Sequence, residues 1–200
     1  MTTPSLQAAR EPRRQHGQRR QHSQHGQRGQ HGVTLVEACV VIAITAVLAS
    51  TAAPSLRGLI DSRRLERAAT TLATDIQFVR TEAVARNQPL RLSLHAMADG
   101  SCYVIHTGAA ALCSCQPRGP AQCTGGAREV RTVVLPDAGG VRLQANVGSV
   151  LFDPLHGTST PTGTLRVLGA DTRAVHHIVN IMGRVRSCSP QAAMPGYRAC

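Results

Sequence analysis

Three groups of residues in this chain have types and spacings that could do chemistry. The first is Glu37, the one charge in the 21 residues from Val33 to Ala53. A carboxylate placed in hydrocarbon costs ~2.5 to 3.5 kcal/mol on insertion scales, so it needs a partner. The second is Gly183-Arg184-Val185-Arg186. Two guanidiniums on alternate residues of an extended segment project to one side, and each offers a planar bidentate fork that fits phosphate. The same pattern also suits a solvated edge strand guarded against aggregation, or a C-terminal turn. The third group is the cysteines. Cys102, Cys113, Cys115, Cys123, Cys188 and Cys200 are an even set whose pairing the sequence leaves open. The seventh, Cys39, lies in the apolar stretch and reads as a small apolar filler.

Other constellations are weak. Cys113-x-Cys115 with Cys123 and the pair His176-His177 offer a conceivable zinc set. Adjacent histidines in a strand point to opposite faces, so disulfides are the better reading and no metal is expected. No nucleophile elbow, phosphate loop or dinucleotide fingerprint occurs, and the acids are scattered singly. The chain reads as a non-enzyme without a cofactor.

The elements that carry these groups follow from composition and period. Residues 1 to 32 read as a disordered leader: rich in Gln, His, Arg and Gly, with Gln-His-Gly-Gln-Arg at 15 to 19 and again at 24 to 28. The leader's four histidines, His16, His22, His25 and His31, read as part of a solvated basic tract. All 22 basic residues of the chain are arginine, and six precede Val33. That excess fits a cytoplasmic N-terminus, with the C-terminal domain on the periplasmic or outer side; seven cysteines suit an oxidising compartment. Residues 33 to 200 hold sixteen arginines against ten acids, a net of +6.

Residues 33 to 53 are long enough to span a bilayer core of ~30 Å as a helix. After Pro54 the helical period continues to about residue 88: Leu65, Ala69, Leu72, Ile76, Val79 and Ala83 recur at alternating spacings of four and three. Arg63, Arg64, Arg67, Arg80 and Arg86 fall largely off that stripe, and Glu82 with Arg86 makes an i, i+4 pair. Pro89 stops the helix near Asn87-Gln88. From residue 89 to 200 the pattern is one of strands. Candidates are 90–94, 102–105, 130–135, 141–145, 150–152, 164–168 and 175–181, with a cysteine-bearing loop over 108–128. Helix first and strands afterwards predicts an α+β domain, with the amphipathic half of a long N-terminal helix packed on an antiparallel sheet.

The residues Gly32-Val33-Thr34-Leu35-Val36-Glu37, with Pro54 as residue 22 counted from Val33, resemble the leader signal of type IV prepilins and type II secretion pseudopilins. Arg80 to Gln88, Val150-Leu151-Phe152, Gly163-Thr164-Leu165 and Gly183-Arg184-Val185-Arg186 are similar to the GspH/FimT group of minor pilins and pseudopilins. The resemblance covers roughly Gly32 to Cys188. It implies cleavage by a prepilin peptidase between Gly32 and Val33 and N-methylation of Val33. It further implies assembly through Glu37 against a neighbouring subunit's N-terminal ammonium, and a helix kink at Pro54.

In FimT-like pilins of naturally competent bacteria the Gly-Arg-x-Arg pattern contacts DNA, which makes Gly183, Arg184 and Arg186 the expected DNA-binding residues. With two phenylalanines, two tyrosines and no tryptophan, base stacking is a poor mechanism. Binding is expected to be dominated by phosphate, independent of sequence and sensitive to salt. Partners implied are a prepilin peptidase, other pilins or pseudopilins, the inner membrane and DNA. The alternative is a purely structural pseudopilin or pilus-priming subunit with no DNA role. The chain departs from the group in three ways: it keeps only Tyr103 where a tryptophan-rich turn is common, inserts the cysteine loop, and has no cysteine on the 164–168 strand. Cys200 therefore becomes a candidate partner for Cys188, and Arg198 on the tail so tied is a further candidate for the basic patch.

Overall fold

The computed structural model describes residues 32–170 and 172–200. Residues 1–31 of the expected leader, with its repeat and its four histidines, lie outside the described residues. The chain divides into two compact units, Met1–Ile44 and Thr45–Cys200.

In the first unit, helix α1 begins at Leu35. Thr34 caps it: its Oγ1 accepts the Glu37 backbone N–H at 3.2 Å, and its carbonyl accepts the Ala38 N–H at 3.0 Å. This is the N-cap half of a capping box, and it sets Glu37 in the first turn, where the helix dipole favours a carboxylate.

Helix α1 runs Leu35–Ala85. Among the described residues no single helix is long and apolar enough to cross a membrane; Leu35–Thr51 and Ser55–Ala85, joined at a bend, pass together on length and composition. Pro54 falls at that break, where the side chains of residues 52–54 are outside the described set. The expected span at 33–53 therefore rests on a bent pair.

Within the second unit the stripe read from the sequence is the buried face of α1: Leu65, Ala69, Leu72, Ile76, Val79 and Ala83 are each at most 1% exposed. Truncating such a leucine to alanine typically costs about 2 to 5 kcal/mol. The helix ends in a Schellman motif. Asn87, at φ +47°, donates to the Val84 carbonyl, and Gln88 donates to that of Ala83, each at 3.1 Å. Glu82 accepts from Arg86 Nε at 2.6 Å, as the spacing predicts.

Among the described residues eleven strands follow: β1 (Leu90–Met97), β2 (Gly100–His106), β3 (Cys113–Ser114), β4 (Gln122–Cys123), β5 (Glu129–Pro136), β6 (Arg142–Ala145), β7 (Ser149–Phe152), β8 (Ser159–Thr160), β9 (Gly163–Leu168), β10 (Ala174–Val179) and β11 (Val185–Cys188). They form a five-stranded sheet ordered β5-β2-β1-β7-β8, a four-stranded sheet ordered β11-β10-β9-β6, and the pair β3-β4. Every pairing between these strands is antiparallel. The α+β expectation is met.

Both larger sheets give one face to the core around α1: Leu90, Leu92, Tyr103, Ile105 and Phe152 from the first, Leu143, Leu165, Val167, Val175 and Val179 from the second. Ser101 Oγ on β2 accepts the Leu143 N–H of β6 at 2.8 Å, linking the two sheets. Strand β2 is buried along its whole length. Tyr103 and Ile105 face the core, while Cys102 on the opposite pleat is bonded to Cys115 of the cysteine loop. That loop, expected to be irregular, carries a short helical turn at Ala110–Leu112 and the β3-β4 pair, whose facing residues Cys113 and Cys123 are themselves bridged. Disulfides rather than periodicity order it, so the apolar pattern held no trace of β3 and β4.

Candidate functional site

The Gly-Arg-x-Arg segment forms the second limb of the β10–β11 hairpin. Asn180 closes the turn: its carbonyl accepts the Gly183 N–H at 2.9 Å, its Oδ1 accepts the Arg184 N–H at 2.9 Å, and its own N–H donates to the Arg184 carbonyl at 3.1 Å. Gly183 has φ +68° and is buried. A Cβ there would collide with the Gly157 carbonyl oxygen and approach the Arg80 Cδ and Nε at 2.9 Å. Arg80 Nε in turn donates to that Gly157 carbonyl at 2.9 Å. Arg80, read from the sequence as part of the off-stripe basic set, is thus a brace between α1 and the hairpin. Gly183 is buried, and its left-handed φ and the close Gly157 carbonyl are what require glycine at this place in the motif.

Arg184 and Arg186 are both exposed, while Val185 between them is half-buried and Cys188 beyond them is buried. Arg186 lies opposite Ile178 in the register. Neither guanidinium has an ion-pair or side-chain hydrogen-bond partner among the described residues. Two unneutralised forks on one face of a braced hairpin can bind phosphate oxygens. Strand β11 is also an edge of its sheet, which the aggregation-guard reading requires as well.

The six cysteines of the domain pair as Cys102–Cys115, Cys113–Cys123 and Cys188–Cys200. The last ties the tail onto β11, where Ser189 bridges Ala199, and buries Met194 in the core. Arg198 on that tail is exposed. Cys39 is free and exposed. No cluster of metal-ligating side chains occurs among the described residues. His177 faces the core, its Nδ1 2.8 Å from Ser187 Oγ, and burial pushes its pKa down to about 4. His176 is on the other face, where burial and then the Arg166 charge lower its pKa.

A buried polar network escaped the sequence reading. Asp75, 1% exposed, accepts the Tyr103 hydroxyl at 2.8 Å and pairs with Arg131, whose guanidinium also sits 5.0 Å from the Phe78 ring centre. Burial and the carboxylate together raise the Tyr103 pKa well above the usual phenol value. The available signal was that Asp75 stands three residues after Leu72 and four before Val79, on the apolar stripe itself.

At the other end of the chain, Gly32, Val33 and Glu37 are all exposed in the first unit. So are the large apolar side chains that follow, from Val40 at 51% to Leu35 at 80%.

An N-terminal helix laid on antiparallel sheets, preceded by an apolar helical segment, is the architecture of a pilin-like subunit. Residues 68–183 match the family described as type II transport protein GspH, and residues 27–53 match the prokaryotic N-terminal methylation motif. The chain belongs to the GspH family and is a subunit of the GspH/FimT type. Its fold is similar to the crystal structure of the Pseudomonas aeruginosa (strain PAO1) type IV minor pilin FimU in space group P21. That likeness covers 68% of this chain and 95% of that one, at 18% identity and a TM-score of 0.50. A second crystal form of FimU, in space group P65, aligns over 66% of this chain and 98% of that one at 16% identity, with a TM-score of 0.47. A search of proteins of curated function returned no match.

Proposed function

We propose that this chain is a minor type IV pilin that captures DNA without sequence preference during uptake. It is made as a prepilin, cut by a prepilin peptidase between Gly32 and Val33 and methylated on the new amino group. The segment 33–53, bent at Pro54, holds it in the inner membrane with the leader cytoplasmic and the domain periplasmic, until it enters a pilus. There Glu37 meets the N-terminal ammonium of a neighbouring subunit. The match to the methylation motif supports the processing steps. The exposure of the apolar side chains of the first unit suits a segment covered by lipid or by neighbouring helices.

The observation that carries the DNA reading is the pair Arg184 and Arg186: exposed, their guanidiniums without partners among the described residues, and presented by a hairpin that Gly183 and Arg80 brace. A second reading is a structural pseudopilin of a secretion system, favoured by the family's description and by the edge position of β11. Replacing the native chain by an Arg184→Ala, Arg186→Ala variant in the source cells separates the two. DNA uptake falls while fibre assembly persists if the arginines grip DNA; both persist, or both fail, if they serve the fold or a pilin partner.

A further inference from the structure

The second sheet turns one face to the core and the other outward, and the register assigns every residue to a side. On β10, Val175, His177 and Val179 are buried against the core, while His176 and Ile178 face out. Opposite residues in antiparallel pairs share a face. Arg186 on β11 and Thr164 on β9 therefore flank Ile178 outside. One step along, Cys188 and Arg166 flank His176, and Gln144 of β6 lies beyond Arg166. Arg184, exposed as well, stands two residues before Arg186 and just ahead of β11, opposite Asn180, whose N–H donates to its carbonyl. The outward arginines thus lie on a diagonal: Arg184, Arg186, then across His176 to Arg166.

Among the described residues no acid pairs with the arginines of that diagonal. None of β6, β9, β10 and β11 contains an aspartate or a glutamate. Arg142, the next outward arginine, is matched by Asp137, whose Oδ1 and Oδ2 accept its Nε and Nη2 at 3.2 and 3.0 Å. Arg166 is exposed and has no such partner among the described residues. Its charge is felt by His176, whose pKa burial and then Arg166 lower.

We propose that the outward diagonal Arg184–Arg186–Arg166 is a single track for the phosphate backbone of double-stranded DNA, with Arg166 its third anchor. The inference rests on the DNA reading of the Gly-Arg-x-Arg hairpin and extends it across the sheet. From Arg184 to the level of Arg166 is four residues along the strands and two strand spacings across, so the track is about 17 Å long. At ~3.4 Å of helix axis per nucleotide of one strand, that length covers about five base pairs. The outward face of these strands carries no phenylalanine, tyrosine or tryptophan, so it offers no large ring on which unstacked bases would be held in preference to duplex. Three phosphate contacts give a log-log salt slope of about −2.7.

The test is fluorescence anisotropy of a labelled duplex with the full chain in an uncharged detergent, across a salt series. Arg166→Gln is compared with Arg128→Gln, an exposed arginine before β5 that loses the same charge off the track, and with Arg184→Gln, Arg186→Gln. Circular dichroism checks that each variant folds. Expected is a slope reduced by about 0.9 in Arg166→Gln and unchanged in Arg128→Gln. If Arg166→Gln matches Arg128→Gln while the hairpin variant loses slope, the track is wrong and the hairpin reading stands. If the unsubstituted protein shows no salt-dependent binding, both fall.

Discussion

The carbonyl oxygen of Gly157 stands where a side chain on Gly183 would begin. That contact, with Arg80 donating to the same carbonyl, fixes the turn from which Arg184 and Arg186 emerge. The glycine of the motif is therefore an aiming device for the two arginines.

Gly183→Ala is expected to destabilise the domain by about 1 to 3 kcal/mol, because alanine must adopt a left-handed φ and displace the Gly157 carbonyl. Urea denaturation measures the loss. Affinity for DNA should fall as well, although both arginines remain. A stability equal to that of the unsubstituted chain would mean that the hairpin is not braced in this way.

The buried carboxylate on α1 should be coupled to the sheet. Asp75→Ala leaves the Tyr103 hydroxyl buried without its acceptor, at a cost of about 1 to 3 kcal/mol. Arg131 is 47% exposed at its side chain and can rehydrate, which keeps the cost below that of a fully buried pair. A double-mutant cycle with Tyr103→Phe should return a coupling of about 0.5 kcal/mol or more; additive losses would contradict the network.

That network also marks where the sequence stopped being legible. The stripe from Leu65 to Ala83 could be read because helical period is local, and the strands because alternation is local. Glycine after Met182 was read as part of a ligand motif, since nothing nearby in the chain announces its contact with Gly157, 26 residues earlier. Asp75 finds Tyr103 28 residues away and Arg131 56 residues away, beyond any local pattern. The pairing of Cys188 with Cys200 was open in the residues themselves; only the shape of the domain brings that tail back to β11.

Acid should weaken the fold through its buried histidines. The His177 pKa falls from the ordinary 6.5 to about 4, chiefly through burial. Between those values the unfolded chain binds more protons. The stability that the neutral His177 lends is thus full above pH ~6.5, declines as pH drops through the window, and is gone below about 4. His177 alone accounts for roughly 3 kcal/mol of the decline, and His106, lowered by burial too, adds in the same direction. Urea midpoints measured across this range should show a shallower slope in His177→Asn than in the unsubstituted chain.

Opening the Cys188–Cys200 bridge should loosen the tail that seals the core with Met194. The bridged residues are 12 apart, and loops of that size are worth roughly 3 kcal/mol. A Cys188→Ser, Cys200→Ser variant should melt several degrees lower. An unchanged melting temperature would show that the tail holds without its disulfide.

The claim that this pilin grips DNA through its C-terminal hairpin is tested most directly by the salt dependence of duplex binding, measured by anisotropy on the full chain in uncharged detergent with Arg184→Ala and Arg186→Ala. The account predicts binding that weakens steeply with salt, little preference among sequences, and a log-log slope reduced by about 1 in each variant. A folded protein that ignores DNA at low salt, or arginine variants whose slope is unchanged, would contradict it and leave the structural pseudopilin reading in its place.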